Sequence, residues 1–202
     1  MIDEGDLRLL VAGADTLSAI PLSGDWARIE QEYWGRALDL AAIHPRPAAL
    51  FVGTGGGTQP LLLAARARPR SVTMVERDPV IIRVAQRYFG LDRLERAEFL
   101  CGDIEQVLPW LESAGRRFDF IMEDAVYAHA AEYALPITLR LAELLAAGGV
   151  LVANRHARHH ARETEAALRG RFARVTSRRV RPDGENVLIC ATRRRRSRSD
   201  SA

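Results

Sequence analysis

The sequence predicts an α/β fold: a Rossmann-like, seven-stranded, mainly parallel sheet with helices on both faces and a C-terminal antiparallel hairpin. Three observations carry that prediction. Strand-like and helix-like segments alternate between residues 48 and 169, the order that builds parallel strands joined by crossover helices. The run Ala48-Ala49-Leu50-Phe51-Val52 is apolar throughout and stops at glycine, as a strand buried on both faces does. Two final strand-like runs flank Pro182-Asp183-Gly184, a turn sequence.

The elements follow in order. Residues 25–42 carry Trp26, Ile29, Tyr33, Leu38 and Leu40, a loose amphipathic pattern that predicts a helix entering the fold. Strand 48–52 runs into the glycine loop, and a helix over about 58–68 stops at Pro69. Strand 71–76 follows. Helix 79–89 starts on Pro79 and aligns Val80, Val84 and Tyr88, with Asp78 as a favourable N-cap. A short strand at 98–101, a helix at 104–113 and a strand at 118–123 come next. A leucine-rich helix over 135–147 is closed by Gly148-Gly149, and 150–153 is the fifth strand. A polar helix over 158–169 precedes strands at 173–180 and 186–192. The expected organisation is an N-terminal helical segment (1–43), the sheet domain (44–192) and a disordered Arg-rich tail (193–202).

Composition narrows the function classes. At 202 residues and 48% hydrophobic content the chain can bury a core without disulfide staples. No apolar run approaches the roughly 18 residues that a membrane span needs. The N-terminus is acidic, and Cys101 and Cys190 give neither a disulfide framework nor metal-ligand spacing. The expectation is a cytoplasmic protein with reduced thiols and no bound metal. All 29 basic residues are arginine, and 14 of them lie from Arg155 onward against 5 acids, so a basic C-terminal quarter joins an acidic body. His156 and His160 are one helical turn apart, but the arginines around them favour a polar helix start over a metal site.

The candidate site lies where ligands bind in open α/β sheets, beyond the carboxyl ends of the strands. Gly53-Thr54-Gly55-Gly56-Gly57 follows the first strand, Glu76 ends the second, Gly102-Asp103 follows the third and Glu123-Asp124 ends the fourth. Four glycines in five positions imply that something approaches the backbone closely. A carboxylate about 20 residues past such a loop can accept hydrogen bonds from both ribose hydroxyls. Asp103, one loop further on, is placed to accept from an exocyclic amine such as that of adenine. In this order they point to a nucleoside-containing ligand. Cys101 is read as a small buried residue near the adenine. Trp26, Tyr33 and Trp34 either lid the pocket or pack on the sheet.

From about His44 to His156 the chain resembles the spermidine synthase-like branch of the class I S-adenosylmethionine-dependent methyltransferase superfamily. The resemblance runs through His44-Pro45-Arg46-Pro47, Phe51-Val52-Gly53, Gly55-Gly56-Gly57, Val75-Glu76-Arg77-Asp78, Gly102-Asp103 and Phe118-Asp119-Phe120-Ile121. It implies that 44–192 binds S-adenosylmethionine or its decarboxylated form. The cofactor-binding residues would be Gly53, Gly55, Gly57, Glu76, Arg77, Asp103, Ile104 and Asp124, with Ile104 at the adenine ring edge. Asp124 would align with the first aspartate of the polyamine synthases' Asp-Ser-Ser-Asp-Pro loop, which faces the reacting amine. The residues themselves make Asp124 the candidate base or orienter for the attacking group, with Tyr127 the other catalytic candidate and Tyr127, His129 and Tyr133 as pocket groups.

That loop reads Asp124-Ala125-Val126-Tyr127-Ala128 here, so its second aspartate is replaced, and Gly56 stands where polyamine synthases carry another. The segment before the core is short for the β-rich domain that helps close the polyamine site. Ammonium groups are expensive to desolvate unpaired. A thinned acidic set therefore favours methyl transfer to a small-molecule acceptor, an amine among the candidates, over aminopropyl transfer. Related enzymes imply a homodimer. An NAD-dependent dehydrogenase would want a small residue at Thr58 and has no use for Asp103. A nucleic-acid-binding role would use Arg193–Arg196, without interleaved aromatics.

Overall fold

The computed structural model describes residues 1–13, 15–125, 129–156, 158–181 and 184–194. Its main sheet has seven strands in the order β6-β5-β4-β7-β8-β10-β9. These are β4 (Ala48–Val52), β5 (Ser71–Glu76), β6 (Ala97–Cys101), β7 (Phe118–Glu123), β8 (Leu145–Arg155), β9 (Phe172–Arg179) and β10 (Val187–Arg194). Strands β4 to β8 pair in parallel, while β10 runs antiparallel to both β8 and β9, as the sequence predicts.

β4 is the centre of the molecule, and all five of its residues are buried. Leu50 and Val52 join Leu108, Ile121 and Leu141 on one face, while Ala49 and Phe51 join Leu62, Met74 and Phe120 on the other. Helices α5 (Ile104–Ser113), α6 (Ala131–Glu143) and α7 (Arg158–Arg169) supply the first layer; α2 (Tyr33–Ala41), α3 (Thr58–Arg66) and α4 (Pro79–Phe89) supply the second. A helix carrying one apolar stripe against each sheet face is the arrangement that buries both.

Three expectations are corrected. First, residues 2–21 are not helical. β1 (Ile2–Glu4), β2 (Leu7–Ala12) and β3 (Asp15–Pro21) form a separate antiparallel sheet turning at Gly5 and Gly13, with Leu7 and Ala19 buried against the main core. Second, the helix expected over 25–42 is broken into α1 (Ala27–Glu30) and α2, because Gly35 packs directly on the Glu30 backbone and the chain must bend at Glu32 to let it. Third, the leucine-rich helix starts at Ala131 and ends at Glu143, so Leu145 already pairs with Phe118 and Gly148 (φ 78°) lies within an irregular stretch of β8. Pro136 fits inside the helix, where its missing N–H forfeits one bond rather than starting a new element.

β10 continues through Arg194, so residues 193–194 are strand rather than tail; 195–202 lie outside the described residues, as do Pro182 and Asp183 of the expected turn. No helix among the described residues is long and apolar enough to cross a membrane.

Candidate functional site

Strand order reverses between β4 and β7: β4 pairs with β5 on one side and with β7 on the other. Chain segments leaving the two strands diverge there and open a crevice at their carboxyl ends. Backbone bonds carry the ladder to its edge. Gly53 N–H donates to Val75 O at 3.0 Å, Asp124 N–H to Val52 O at 2.8 Å and Gly102 N–H to Glu76 O at 3.0 Å. Beyond them lies a cavity of about 440 Å³. Gly53, Gly55, Glu76, Arg77, Asp103, Ile104 and Asp124 all line it, so residues from four separate loops converge as the sequence predicts.

The glycine loop packs against protein as well as facing the cavity. A Cβ on Gly53 (φ 84°) would lie 2.8 Å from the Ala125 N atom, so the bare backbone lets the tips of β4 and β7 close on each other. A Cβ on Gly55 would meet Ser18 Oγ at 2.9 Å, and one on Gly56 would meet Ser18 Cβ at 2.8 Å. The side-chain-free surface expected to face a ligand is thus partly occupied by β3. Ser18 Oγ accepts from Gly56 N–H at 2.7 Å, and the Thr58 hydroxyl accepts from Ala19 N–H and donates to Ala19 O. Gly57 is not part of the cavity wall: it turns the chain into α3 (φ 87°) and faces Leu91, whose Cδ1 a Cβ would meet at 2.4 Å.

The carboxylates are held by their own loops. Glu76 accepts from Gly55 N–H at 3.1 Å and Asp78 N–H at 3.2 Å. Those two bonds fix its carboxylate at the cavity edge and leave lone pairs for a ligand. Asp103 caps α5 by accepting from Glu105 N–H at 3.0 Å, through one oxygen. Asp78 caps α4 from Val80 N–H at 2.7 Å, as its position before proline predicts.

Asp124 differs from these. Half-buried on the cavity wall, it accepts a hydrogen bond from Asn154 Nδ2 at 2.8 Å. Loss of water raises its carboxyl from 3.8 to about 7; the Asn154 bond opposes this, the Glu123 charge adds to it, and the Tyr33 hydroxyl and Arg155 charge pull back. Desolvation wins.

Tyr33 lines the cavity, whereas Trp34 is buried in the core. His129 and Tyr133 also line the cavity, their ring centroids 4.8 Å apart, and the Tyr133 hydroxyl donates to Glu105 at 3.1 Å. Tyr127 lies outside the described residues. Cys101 is exposed at the tip of the edge strand β6, a correction to its reading as a buried residue.

Four further residues of this region are not foreseen. Asn154, Asn186 and His156 line the cavity from the β8–β10 side. Arg155, beside them in sequence, points the other way and is fully buried against Glu123 at 2.5 Å, with Thr138 and Thr164 as further partners. Nothing in the run Arg155-His156-Ala157-Arg158-His159-His160 marks one arginine as internal.

Residues 49–149 match a family model described as a methyltransferase domain. A polyamine aminopropyltransferase of Vibrio vulnificus (strain CMCP6) is 30% identical over 131 residues, covering 63% of this chain and 44% of that protein. An eEF1A lysine and N-terminal methyltransferase of Danio rerio is 40% identical over 78 residues, 38% of this chain and 11% of that one. The chain therefore spans less than half the length of these curated relatives. Human methyltransferase-like protein 13, solved in complex with SAH, superposes with a TM-score of 0.67 at 20% identity, covering 80% of this chain and 82% of its own. With half of its length matched by that family model, this chain belongs to the methyltransferase domain family and has the class I S-adenosylmethionine-dependent methyltransferase fold.

Proposed function

We propose that the protein is an enzyme that transfers the methyl group of S-adenosylmethionine to a small-molecule acceptor, with an amine as the preferred class. The observation that supports this reading most is the convergence of Glu76, Asp103 and Asp124 from three successive strand ends on one cavity. A volume of about 440 Å³ suits a ligand of nucleoside size. The donor and acceptor set fits as well. Glu76, pre-oriented by two backbone N–H groups, takes the ribose hydroxyls. Asp103 offers its second oxygen to the adenine amine, Ile104 and Ile81 flank the ring, and Arg77 closes the rim. Gly53 and Gly55 let the sulfonium end approach the β4 tip. The unit that does this is the main-sheet domain, residues 44–192, roofed by the β1–β3 sheet.

When bound, S-adenosylmethionine supplies a methyl carbon activated by its sulfonium, and leaves as S-adenosylhomocysteine. The chain contributes orientation and a proton acceptor. An acceptor nitrogen would take up that methyl carbon, with the C–S electron pair remaining on the departing sulfur. The proton it sheds goes to the Asp124 carboxylate. His129, Tyr133 and Tyr33 wall the acceptor side, and Tyr127 is the second catalytic candidate.

A second reading, aminopropyl transfer from decarboxylated S-adenosylmethionine within the spermidine synthase-like branch, is favoured by Asp15. This acid from the β1–β3 sheet lines the cavity and partly restores the set thinned at Tyr127 and Gly56. Calorimetry separates the two. S-adenosylmethionine is expected to bind more tightly than its decarboxylated form, and Glu76→Ala to weaken it at least a hundredfold, because hydrogen bonds to a charged group contribute about 1.5–3 kcal/mol each. Tighter binding of the decarboxylated compound reverses the assignment; binding that Glu76→Ala leaves unchanged removes the cofactor from this cavity.

A further inference from the structure

What holds Asp124 in place belongs to the C-terminal part of the sheet. Asn154 sits near the end of β8 and is 1% exposed. Its Nδ2 donates to Asp124 Oδ1 at 2.8 Å and to Asn186 Oδ1 at 2.8 Å. Both of its N–H groups are thus spent on two oxygens from different strands' ends, which fixes the direction of the amide. Turned over, Asn154 would set its own oxygen against two acceptors. Its Oδ1 has no hydrogen-bond partner among the described residues. A buried amide oxygen left unsatisfied costs free energy, so the orientation of Nδ2 is being held against that cost. Asn186, half-buried just ahead of β10, is the second anchor. All three residues line the same cavity.

We propose that Asn154 and Asn186 are positioning residues for methyl transfer: the amide pair clamps the Asp124 carboxyl at the β7 tip, facing the acceptor, and so makes the C-terminal hairpin part of the acceptor subsite. This rests on the reading of Asp124 as the proton acceptor. Neither asparagine touches the methyl donor's adenosine in this scheme; both act through Asp124. A base oriented by a third group, which is itself fixed, is the arrangement that activated proton acceptors need. The Tyr33 hydroxyl from α2 bonds the same carboxyl. The other charges that act on it are Glu123 of β7 and Arg155 of β8 from the core side, and the titratable or charged groups around the cavity are Asp15, Glu76, Arg77, Asp103, His129, Tyr133 and His156. None of them is altered by substituting the amides.

The test is a carbon NMR titration of the side-chain carboxyls in the full chain, with Asp124→Asn assigning the resonance. The Asn154 bond holds the Asp124 carboxyl below where desolvation alone would place it. Its removal in Asn154→Ala is therefore expected to raise the midpoint by about one pH unit, a tenfold change in proton affinity. Asn154→Ser, which keeps one donor, falls between wild type and Asn154→Ala, and Asn186→Ala shifts the midpoint the same way by less. An Asn154→Ala midpoint that stays at the wild-type value, with native circular dichroism, overturns the proposal. Should Asn154→Ala fail to fold, Asn186→Ala decides alone, and an unmoved midpoint there overturns it equally. Calorimetry with S-adenosylhomocysteine on the same samples keeps the two failures apart. No binding to any sample strikes the methyl-donor reading; intact binding with unmoved midpoints strikes the amide pair alone.

Discussion

Replacing Arg155 by alanine is expected to cost about 3–5 kcal/mol of folding stability, read as a lower urea midpoint with an unchanged slope. For a chain of this length that lowers the melting temperature by roughly 10 °C, at about 2–4 °C per kcal/mol. The reason is specific. Arg155 and Glu123 are each 0% exposed and pair at 2.5 Å. The guanidinium also reaches the Asn154 carbonyl and the Thr138 and Thr164 hydroxyls. Truncation strands the Glu123 carboxylate in the core, where an unpaired charge is expensive. Replacing both members, Arg155→Met with Glu123→Leu, is expected to recover most of the loss, because two desolvated charges then disappear together. A single substitution that costs under 1 kcal/mol would show that this ion pair is not buried in solution.

Asp124→Asn is expected to lower turnover by about 10²–10⁴-fold, the range a positioned proton acceptor contributes, while cofactor affinity changes little. The pH profile carries a further signature. The Asp124 carboxyl is raised to about 7, so wild-type turnover rises through neutrality as the carboxylate forms and levels off above it. The stability consequence has the opposite sign. Between about 4 and 7 the folded state holds a proton that the unfolded chain has released, so this group's contribution to stability falls as pH rises through that window and is flat above it. Asp124→Asn, having no proton to lose, flattens that segment of the stability profile. Denaturation at pH 5 and pH 8 measures both slopes; equal slopes in the two proteins refute the raised carboxyl.

The parts of the molecule that were legible in the sequence are those where one physical demand sets the residue types over several positions. β4 is buried on both faces and so reads as an unbroken apolar run; its glycine loop and the acids at Glu76, Asp103 and Asp124 are regularly spaced by the strand–helix unit. The N-terminal sheet was missed because its strands face solvent on one side and the core only at a few points. Only Leu7, Leu10, Ser18, Ala19 and Pro21 are buried, too few to impose a pattern. The turns at Gly5 and Gly13, and an Asp3–Arg8 pair bridging β1 and β2, were the available signals.

Arg155 goes unmarked in the sequence for a related reason. Its burial is set by the distant partner Glu123, and in a run of arginines and histidines it looks like its neighbours on the surface. Asn154 and Asn186 are 32 residues apart and meet only because β10 turns back beside β8. Gly55 and Gly56 point to the limit of composition. Crowding by a ligand and crowding by a neighbouring strand demand the same missing side chain, and here β3 accounts for part of it.

The seam between β3 and the glycine loop ties the chain's opening stretch to its chemistry. Gly56 N–H and the Thr58 hydroxyl, both buried, find their partners in Ser18 and Ala19. A shortened variant lacking residues 1–21 would keep Glu76, Asp103 and Asp124 but lose Asp15 from the cavity wall, and it would orphan those two groups at the root of α3. The glycine ledge at the tip of β4 would then loosen, so the first strands serve as a buttress rather than as decoration.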